Sequence, residues 1–232
     1  SSTFFLIPFR DRIGDKLRGR FSGRRATHYD ISDVQKQVEM LVEQGFEIGL
    51  HGIDAWHSAE KGKQELRRIA GATGQQEVGV RMHWLYLDHQ SPAVLEQAGF
   101  SYDSTFGYNE TVGYRAGTLQ VFRPLGATHL LELPLHIQDT ALFNPRRMAL
   151  SEEAAWDLCK TLIDGATYYG GVVTVLWHLR SLAPERCWGE FYTRLLQELR
   201  ERGAWFGTAR RVVGWFRRRR SVVFEEFSFN NN

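Results

Sequence analysis

Short apolar runs alternate along this chain with stretches in which apolar residues recur every three or four positions. The continuous runs favour strands, and the spaced residues favour amphipathic helices. Strands that alternate with helices are typical of a mostly parallel sheet, so the pattern predicts an α/β fold. Because the chain supplies about seven such steps, we predict a distorted (β/α)7 barrel.

The same pattern gives approximate positions for the elements. Strands are predicted near residues 3–7, 46–51, 78–85, 100–103, 130–137, 172–178 and 204–206. Helices are predicted at 32–45, 58–70, 91–99, 151–170 and 190–202, and from 208 onward. Ser32, Ser58 and Ser91 are placed to cap helices, since a serine side chain can accept a hydrogen bond from the free amides of a first turn.

Four of the predicted strands end on polar residues that can do chemistry. They end at His51, at Arg81 and His83, at Asp103 and at His178. The carboxyl ends of parallel strands meet at one rim, where the active sites of α/β barrels gather. The sequence therefore predicts a functional site at this rim.

Composition places few limits on function. The chain has 232 residues, a formal net charge of +2 and 43% hydrophobic residues, values expected of one globular domain spanning residues 1–232. No apolar run approaches the roughly 20 residues that span a bilayer. Cys159 and Cys187 form no metal-binding pair. The basic run 217–220 is interpreted as a solvated helix end, so no nucleic-acid partner is predicted.

The start of the chain lies inside a predicted strand and has no signal-peptide pattern. We therefore expect further residues, including at least one strand, upstream of Ser1. The compartment and the oligomeric state are not indicated by the sequence. A basic stretch, Arg10 to Arg25, is interpreted as a loop after the first strand, with a possible contact to an anionic substrate as its only role.

Several motifs occur in the order known from one family. They read T-F-F-L-I-P from Thr3, G-F-E-I-G-L-H from Gly45, R-M-H-W from Arg81, Y-D-S-T from Tyr102 and L-W-H from Leu176. This series resembles the polysaccharide deacetylase family, also called the NodB-homology or carbohydrate esterase family 4 domain. Longer stretches resemble an uncharacterised bacterial branch among surface-polysaccharide proteins: E-I-G-L-H-G, A-G-F-S-Y-D-S-T, G-Y-R-A-G-T and L-P-L-H-I-Q-D.

The resemblance implies a metal-dependent hydrolase that removes acetyl groups from an N- or O-acetylated sugar of a polysaccharide. It implies a divalent ion, zinc, on His51 and His57, although the family spaces its two histidines four residues apart and Ala55 stands at that position. Asp54 is a reserve oxygen ligand. The family's first motif, an aspartate pair that supplies a metal ligand and a general base, would lie upstream of Ser1. This chain alone is therefore expected to lack hydrolytic activity.

The remaining site residues are assigned roles with alternatives. The resemblance implies that His178 is the catalytic acid, and Asp103 is expected to orient its ring; the alternative is a structural His–Asp pair under a loop. Arg81 is expected to hold the family's catalytic carboxylate, or else to be a buried arginine that bridges strand ends. The residues expected to line a sugar groove are His83, Trp84, Arg115 and Asp139, with core packing and a solvated loop as the alternatives for Trp84 and Arg115.

Two other functions remain open from the sequence. A hydrolase of small linear amides would share the fold and the metal. A non-catalytic barrel that binds carbohydrate would share the groove. In each case a small molecule or a carbohydrate is the expected partner.

Overall fold

A parallel sheet of five strands forms the centre of the molecule in the computed structural model, which describes residues 1–16, 25–183 and 186–222. The strands lie side by side in chain order, so each connection crosses over in the same direction. They are β1 (Thr3–Leu6), β2 (Glu47–Gly52), β3 (Val80–Met82), β4 (Tyr102–Asp103) and β5 (Leu131–Glu132). The predicted α/β fold with a parallel sheet is confirmed.

A second sheet consists of two short parallel strands, β6 (Ile137–Gln138) and β7 (Val175–Leu176). Within the described ranges the two sheets do not join into a closed ring. The segment between β5 and β6 is held by single backbone hydrogen bonds rather than by a strand ladder. The Leu133 amide donates to the carbonyl of Asp103 in β4, and the Leu135 amide donates to the carbonyl of Phe106. The predicted distorted (β/α)7 barrel is therefore not confirmed.

Predicted strand lengths also need correction. The segment 130–137 contains β5 and only the first residue of β6, and the segment 172–178 contains only the two residues of β7, since the flanking residues bond to loops. Residues 204–206 form no strand. After β3 the chain does not extend to residue 85 but enters a 3-10 turn, His83–Leu85. Of the predicted basic loop, residues 17–24 lie outside the described residues.

Seven α-helices accompany the sheets in the described part of the chain. They are α1 (Gln35–Glu43), α2 (Ala59–Thr73), α3 (Ser91–Ala98), α4 (Asp139–Phe143), α5 (Glu152–Tyr169), α6 (Gly189–Glu201) and α7 (Ala209–Arg220). Ser58 caps α2 as predicted, accepting from the Lys61 amide. Ser32 does not cap a helix. Asp30 is the capping residue of a 3-10 turn, Ile31–Val34, and its side chain accepts from the Ser32 amide. No described helix is both long and apolar enough to cross a bilayer.

Apolar side chains from β1–β3 pack against α1–α3, and a second cluster joins α4, α5 and α6. Helix α7 packs Val213 and Phe216 onto β4 and β5. Its first turn is tied to the amino-terminal ends of β1 and β2, where the Ala209 amide donates to Thr3 Oγ1 and the Arg210 amide to Glu47 Oε2. This arrangement leaves the carboxyl ends of the strands free of α7.

His136, between β5 and β6, is 2% exposed. The Thr174 amide donates to its Nδ1 over 3.1 Å, so this nitrogen carries a lone pair. Burial lowers the pKa of His136 to about 4, although a bond to the Thr118 carbonyl works in the opposite direction. The ring is therefore neutral in the folded protein throughout mildly acidic conditions.

This depressed pKa predicts a pH-dependent contribution to stability. Above pH of about 6.5 the ring is neutral in both folded and unfolded chains and contributes no protonation difference. As the pH falls toward about 4, His136 becomes protonated in the unfolded chain but stays neutral in the folded chain. The free energy of unfolding therefore drops by up to about 1.4 kcal/mol per pH unit.

The measurement is urea unfolding at several pH values for the wild type and for His136→Asn, which retains an acceptor for Thr174. The stability difference in favour of the wild type should shrink as the pH falls below 6.5. A difference that stays constant with pH contradicts the neutral, buried state of His136.

Candidate active site

His51 is held by its neighbour in the sheet. The parallel register of β2 and β3 pairs His51 with Arg81, and His51 Nδ1 lies 2.9 Å from the Arg81 carbonyl oxygen. A carbonyl oxygen can only accept, so Nδ1 must carry the ring proton and Nε2 a lone pair. This hydrogen bond therefore fixes both the orientation and the tautomer of the ring.

His83 meets His51 edge to face. Its Nδ1 lies 2.8 Å from His51 Nε2, and the ring centroids are 4.7 Å apart at an interplanar angle of 76°. Because His51 Nε2 accepts, His83 Nδ1 donates and His83 Nε2 carries the lone pair. That last nitrogen is buried and has no hydrogen-bond partner among the described residues. A buried acceptor left in this state calls for a donor or a ligand.

Both rings are neutral. Loss of water lowers the pKa of His51 to about 3 and that of His83 to about 2, and nearby positive groups, Arg25 among them, lower both further. His51, His83 and His178 each lie at or just after the carboxyl end of a strand.

The turn that carries His83 is strained. Trp84 and Leu85 have φ angles of 60° and 52°, a region that side chains other than glycine rarely adopt. Asn109 stabilises the turn by donating from Nδ2 to the Trp84 carbonyl oxygen over 2.8 Å. Backbone strain of this kind is found where a fold fixes a functional group in place.

His178 has a carboxylate partner, but it is Asp139. His178 Nδ1 lies 2.7 Å from Asp139 Oδ1, and the backbone amide of His178 donates to Oδ2 over 2.8 Å. Burial raises the pKa of Asp139, but the bonds from His178 outweigh it and hold that pKa below its usual range. The ionised carboxylate therefore keeps a proton on Nδ1, and Nε2 belongs to a side chain that is 34% exposed.

The predicted pairing of Asp103 with His178 is wrong, because Asp103 lies within the core. Thr105 donates to Asp103, and Glu132 shares a hydrogen bond with it. Burial raises the pKa of Asp103 to about 6 and that of Glu132 well above its usual value, and the two neighbouring carboxyls disfavour each other's ionisation. Glu132 was not predicted from the sequence, where it stands as a lone acid in an apolar run.

Arg81 bridges strand ends inside the same core. It is 4% exposed, donates from Nε to the Ser104 carbonyl and from Nη2 to Ser104 Oγ, and lies 4.6 Å from the Phe5 ring centroid. Burial lowers the pKa of Arg81 to about 10, which leaves it charged near Asp103 and Glu132. These contacts favour the structural alternative for Arg81; a catalytic role remains a prediction.

In the ligand pair that the resemblance implies, the His57 ring is bonded to Asp54. His57 Nε2 lies 3.1 Å from Asp54 Oδ1, and Asp54 also accepts from the Asp15 amide. Across residues 1–16, 25–183 and 186–222, no group of three or more His, Cys, Asp or Glu side chains could hold a metal ion. The His51 and His83 rings are of a type that ligates divalent ions, but an ion held by both would have to replace the hydrogen bond between His83 Nδ1 and His51 Nε2. The role of His57 as a metal ligand remains a prediction.

The predicted groove residues are divided between the rim and a loop. The Trp84 ring borders His83, with centroids 5.6 Å apart. Asp139, predicted to contact sugar, supports His178 from a fully buried position. Arg115 donates to the Gly107 carbonyl and lies 4.7 Å from the Phe106 ring centroid, so it braces its own loop.

Comparison with known proteins supports the fold. No family model and no curated protein matches this sequence. A crystal structure from Mycobacterium smegmatis, described as a "putative polysaccharide deacetylase", matches 86% of this chain and 74% of its own, with a TM-score of 0.60 and 17% identity. The chain therefore shares the fold of that protein, in agreement with the resemblance in the motifs.

The packing of Arg81 predicts a large structural effect of its removal. Arg81→Met leaves the Ser104 carbonyl and hydroxyl without a donor and removes the cation beside two buried carboxyls. We expect the free energy of unfolding to fall by about 3 kcal/mol. The control Arg115→Met, at an exposed position, should cost much less. Urea unfolding of both variants measures these losses. If the free energy of unfolding falls equally little in both, the bridging role of Arg81 is contradicted.

Proposed function

We propose that this protein is a hydrolase that removes an acetyl group from an acetylated sugar of a polysaccharide. The observation that carries the proposal is that two hydrogen-bonded groups, the Asp139-supported His178 and the His51–His83 pair, both lie at the carboxyl ends of strands. A partly exposed base next to two neutral imidazoles suits the transfer of an acyl group to water. The fold shared with the M. smegmatis protein adds support.

In this proposal His178 handles the proton. Because Nδ1 is bonded to the Asp139 carboxylate, Nε2 is the ring nitrogen that remains for the substrate. Nε2 can take a proton and deliver it to the departing nitrogen or oxygen of the sugar. Asp139 stabilises the imidazolium that forms between these two steps, as a buried carboxylate does behind a catalytic histidine.

His51 and His83 are the residues that we propose to hold a divalent ion, with zinc as the ion that imidazole ligands suit. When bound, such an ion supplies Lewis-acid polarisation of the acetyl carbonyl. The Arg81 carbonyl keeps the ring proton of His51 on Nδ1, and the strained turn at Trp84 keeps His83 beside it. An ion on both rings would take the place of the hydrogen bond between His83 Nδ1 and His51 Nε2. His57 takes no part, because its ring is bonded to Asp54.

Aromatic side chains support a sugar as the substrate. Trp84 lies next to His83, and Tyr108 is 39% exposed beside Arg115 on the neighbouring loop. Flat apolar rings of this kind can stack on the face of a pyranose ring. A small linear amide has no such face. We therefore favour a polysaccharide over a linear amide.

Removal of the proposed acid should abolish turnover. His178→Ala and Asp139→Asn are expected to slow acetate release from N-acetylated or O-acetylated oligosaccharides by about 100-fold or more, since general acid catalysis and its orientation are lost. The assay uses the protein with any upstream residues that its gene encodes. His129→Ala, at an exposed position, is the control and should retain full activity. Unchanged acetate release by His178→Ala rules out this mechanism.

A zinc titration separates the two possible ligand pairs. His51→Ala and His83→Ala should each weaken zinc binding by about 100-fold or more, because outer-shell partners alone are worth about 10- to 100-fold. His57→Ala should bind zinc as the wild type does, since its ring faces Asp54. If His57→Ala loses zinc while His83→Ala keeps it, the pair implied by the resemblance is correct. Wild-type protein that binds no zinc favours the non-catalytic carbohydrate-binding alternative.

A further inference from the structure

Helix α7 and the loop before it form a basic, aromatic surface. A groove of about 530 Å³ lies here, and we call its lining the α7 face: Glu77, Trp205, Arg210, Arg211, Gly214, Trp215, Arg217 and Arg218. Trp205 is 55% exposed and Trp215 is 44% exposed. Side chains of this size are normally buried, so their exposure together indicates an interaction surface.

The spacing along α7 explains how this surface arises. Ala209, Val213 and Phe216 are buried against the sheet. Residues 211, 215 and 218 recur at helical spacing on the other side, where they are exposed. Arg211 lies 5.6 Å from the Trp205 ring centroid, and Arg219 lies 5.6 Å from that of Trp215, so the cations and the rings form one continuous patch.

Positive charge is concentrated in this patch. Helix α7 contains six arginines among twelve residues and no acidic residue, whereas the whole chain has a net charge of only +2. The rest of the chain is therefore net negative. The sequence alone suggested a solvated end at 217–220, but the fold extends this run into a wider basic face with Arg210 and Arg211. Such a face complements a densely anionic surface.

The position of the α7 face separates it from the candidate active site. The helix begins at the amino-terminal ends of β1 and β2, where it contacts Thr3 and Glu47. His51 lies near the opposite, carboxyl end of β2. A partner on the α7 face therefore leaves the histidine rim accessible to substrate.

We propose that the α7 face docks the protein peripherally onto an anionic membrane. The arginines bind lipid phosphates, and Trp205 and Trp215 enter the interface between headgroups and acyl chains, where tryptophan is enriched. Phe206, next to Trp205 in the chain, is also exposed. Apolar contacts of this kind favour a membrane over a soluble polyanion, which needs only the charges. This proposal does not depend on the proposed hydrolase function.

Sedimentation with lipid vesicles tests the proposal. The full chain should bind vesicles that contain phosphatidylglycerol, bind phosphatidylcholine vesicles weakly, and dissociate as the salt concentration rises. Tryptophan fluorescence should shift to shorter wavelength on binding, because the indole rings leave water. Equal binding to both kinds of vesicle, or the absence of binding to either, overturns the proposal.

Variants identify the surface. Each basic residue near an anionic bilayer contributes about fivefold in affinity, so the double variant Arg211→Glu, Arg218→Glu should lose about 100-fold or more. Arg194→Glu is the matched control, since Arg194 also lies over a tryptophan, 3.7 Å from the Trp156 ring centroid, on another part of the molecule. The control should bind as the wild type does.

A second variant guards against misfolding. Trp205→Ser with Trp215→Ser removes two exposed rings, so it should fold normally, keep part of the salt-sensitive attraction and lose the fluorescence shift. Duplex DNA and heparin serve as soluble polyanions. If they bind the wild type while phosphatidylglycerol vesicles do not, or if the arginine and tryptophan variants bind vesicles unchanged, the membrane proposal is wrong.

Discussion

The parallel register of β2 and β3 determines where the chemistry of this protein lies. It sets His51 opposite Arg81, so that the Arg81 carbonyl fixes the His51 ring while the Arg81 side chain turns into the core toward Ser104. The chain then leaves β3 through a strained turn that brings His83 against His51. A shift of one residue would exchange the two faces of the strand and separate these groups.

Buried charge is divided between two neighbouring networks. In the core, Arg81 lies near Asp103 and Glu132, and burial raises the pKa of both carboxyls because their joint ionisation would be costly without water. At the rim, Asp139 is ionised and His178 remains partly exposed. The first network joins strand ends, whereas the second contains a partly exposed imidazole. This contrast explains why Asp103, although placed at a strand end, is poorly suited to orient His178.

The sequence predicted the parallel α/β fold and the strand ends that carry His51, His83 and His178, because those signals are local. It could not predict which carboxylate supports His178. That choice depends on how the chain between β4 and β6 is routed, and the short helix α4 that begins at Asp139 has little periodicity to reveal it. Ladder lengths and the turn at Trp84 likewise depend on tertiary contacts. The sequence also did not reveal that Asp54, within the same loop, binds His57.

If His51, His83 and His178 form one site, their imidazole nitrogen signals in an NMR spectrum should respond to substrate together. On addition of an acetylated oligosaccharide in the presence of zinc, we expect the ring signals of all three histidines to change over the same concentration range. The signals of His136, which lies in the core, should stay unchanged. A response of His178 to the sugar without any response of His51 and His83 would show that the three histidines do not share a site.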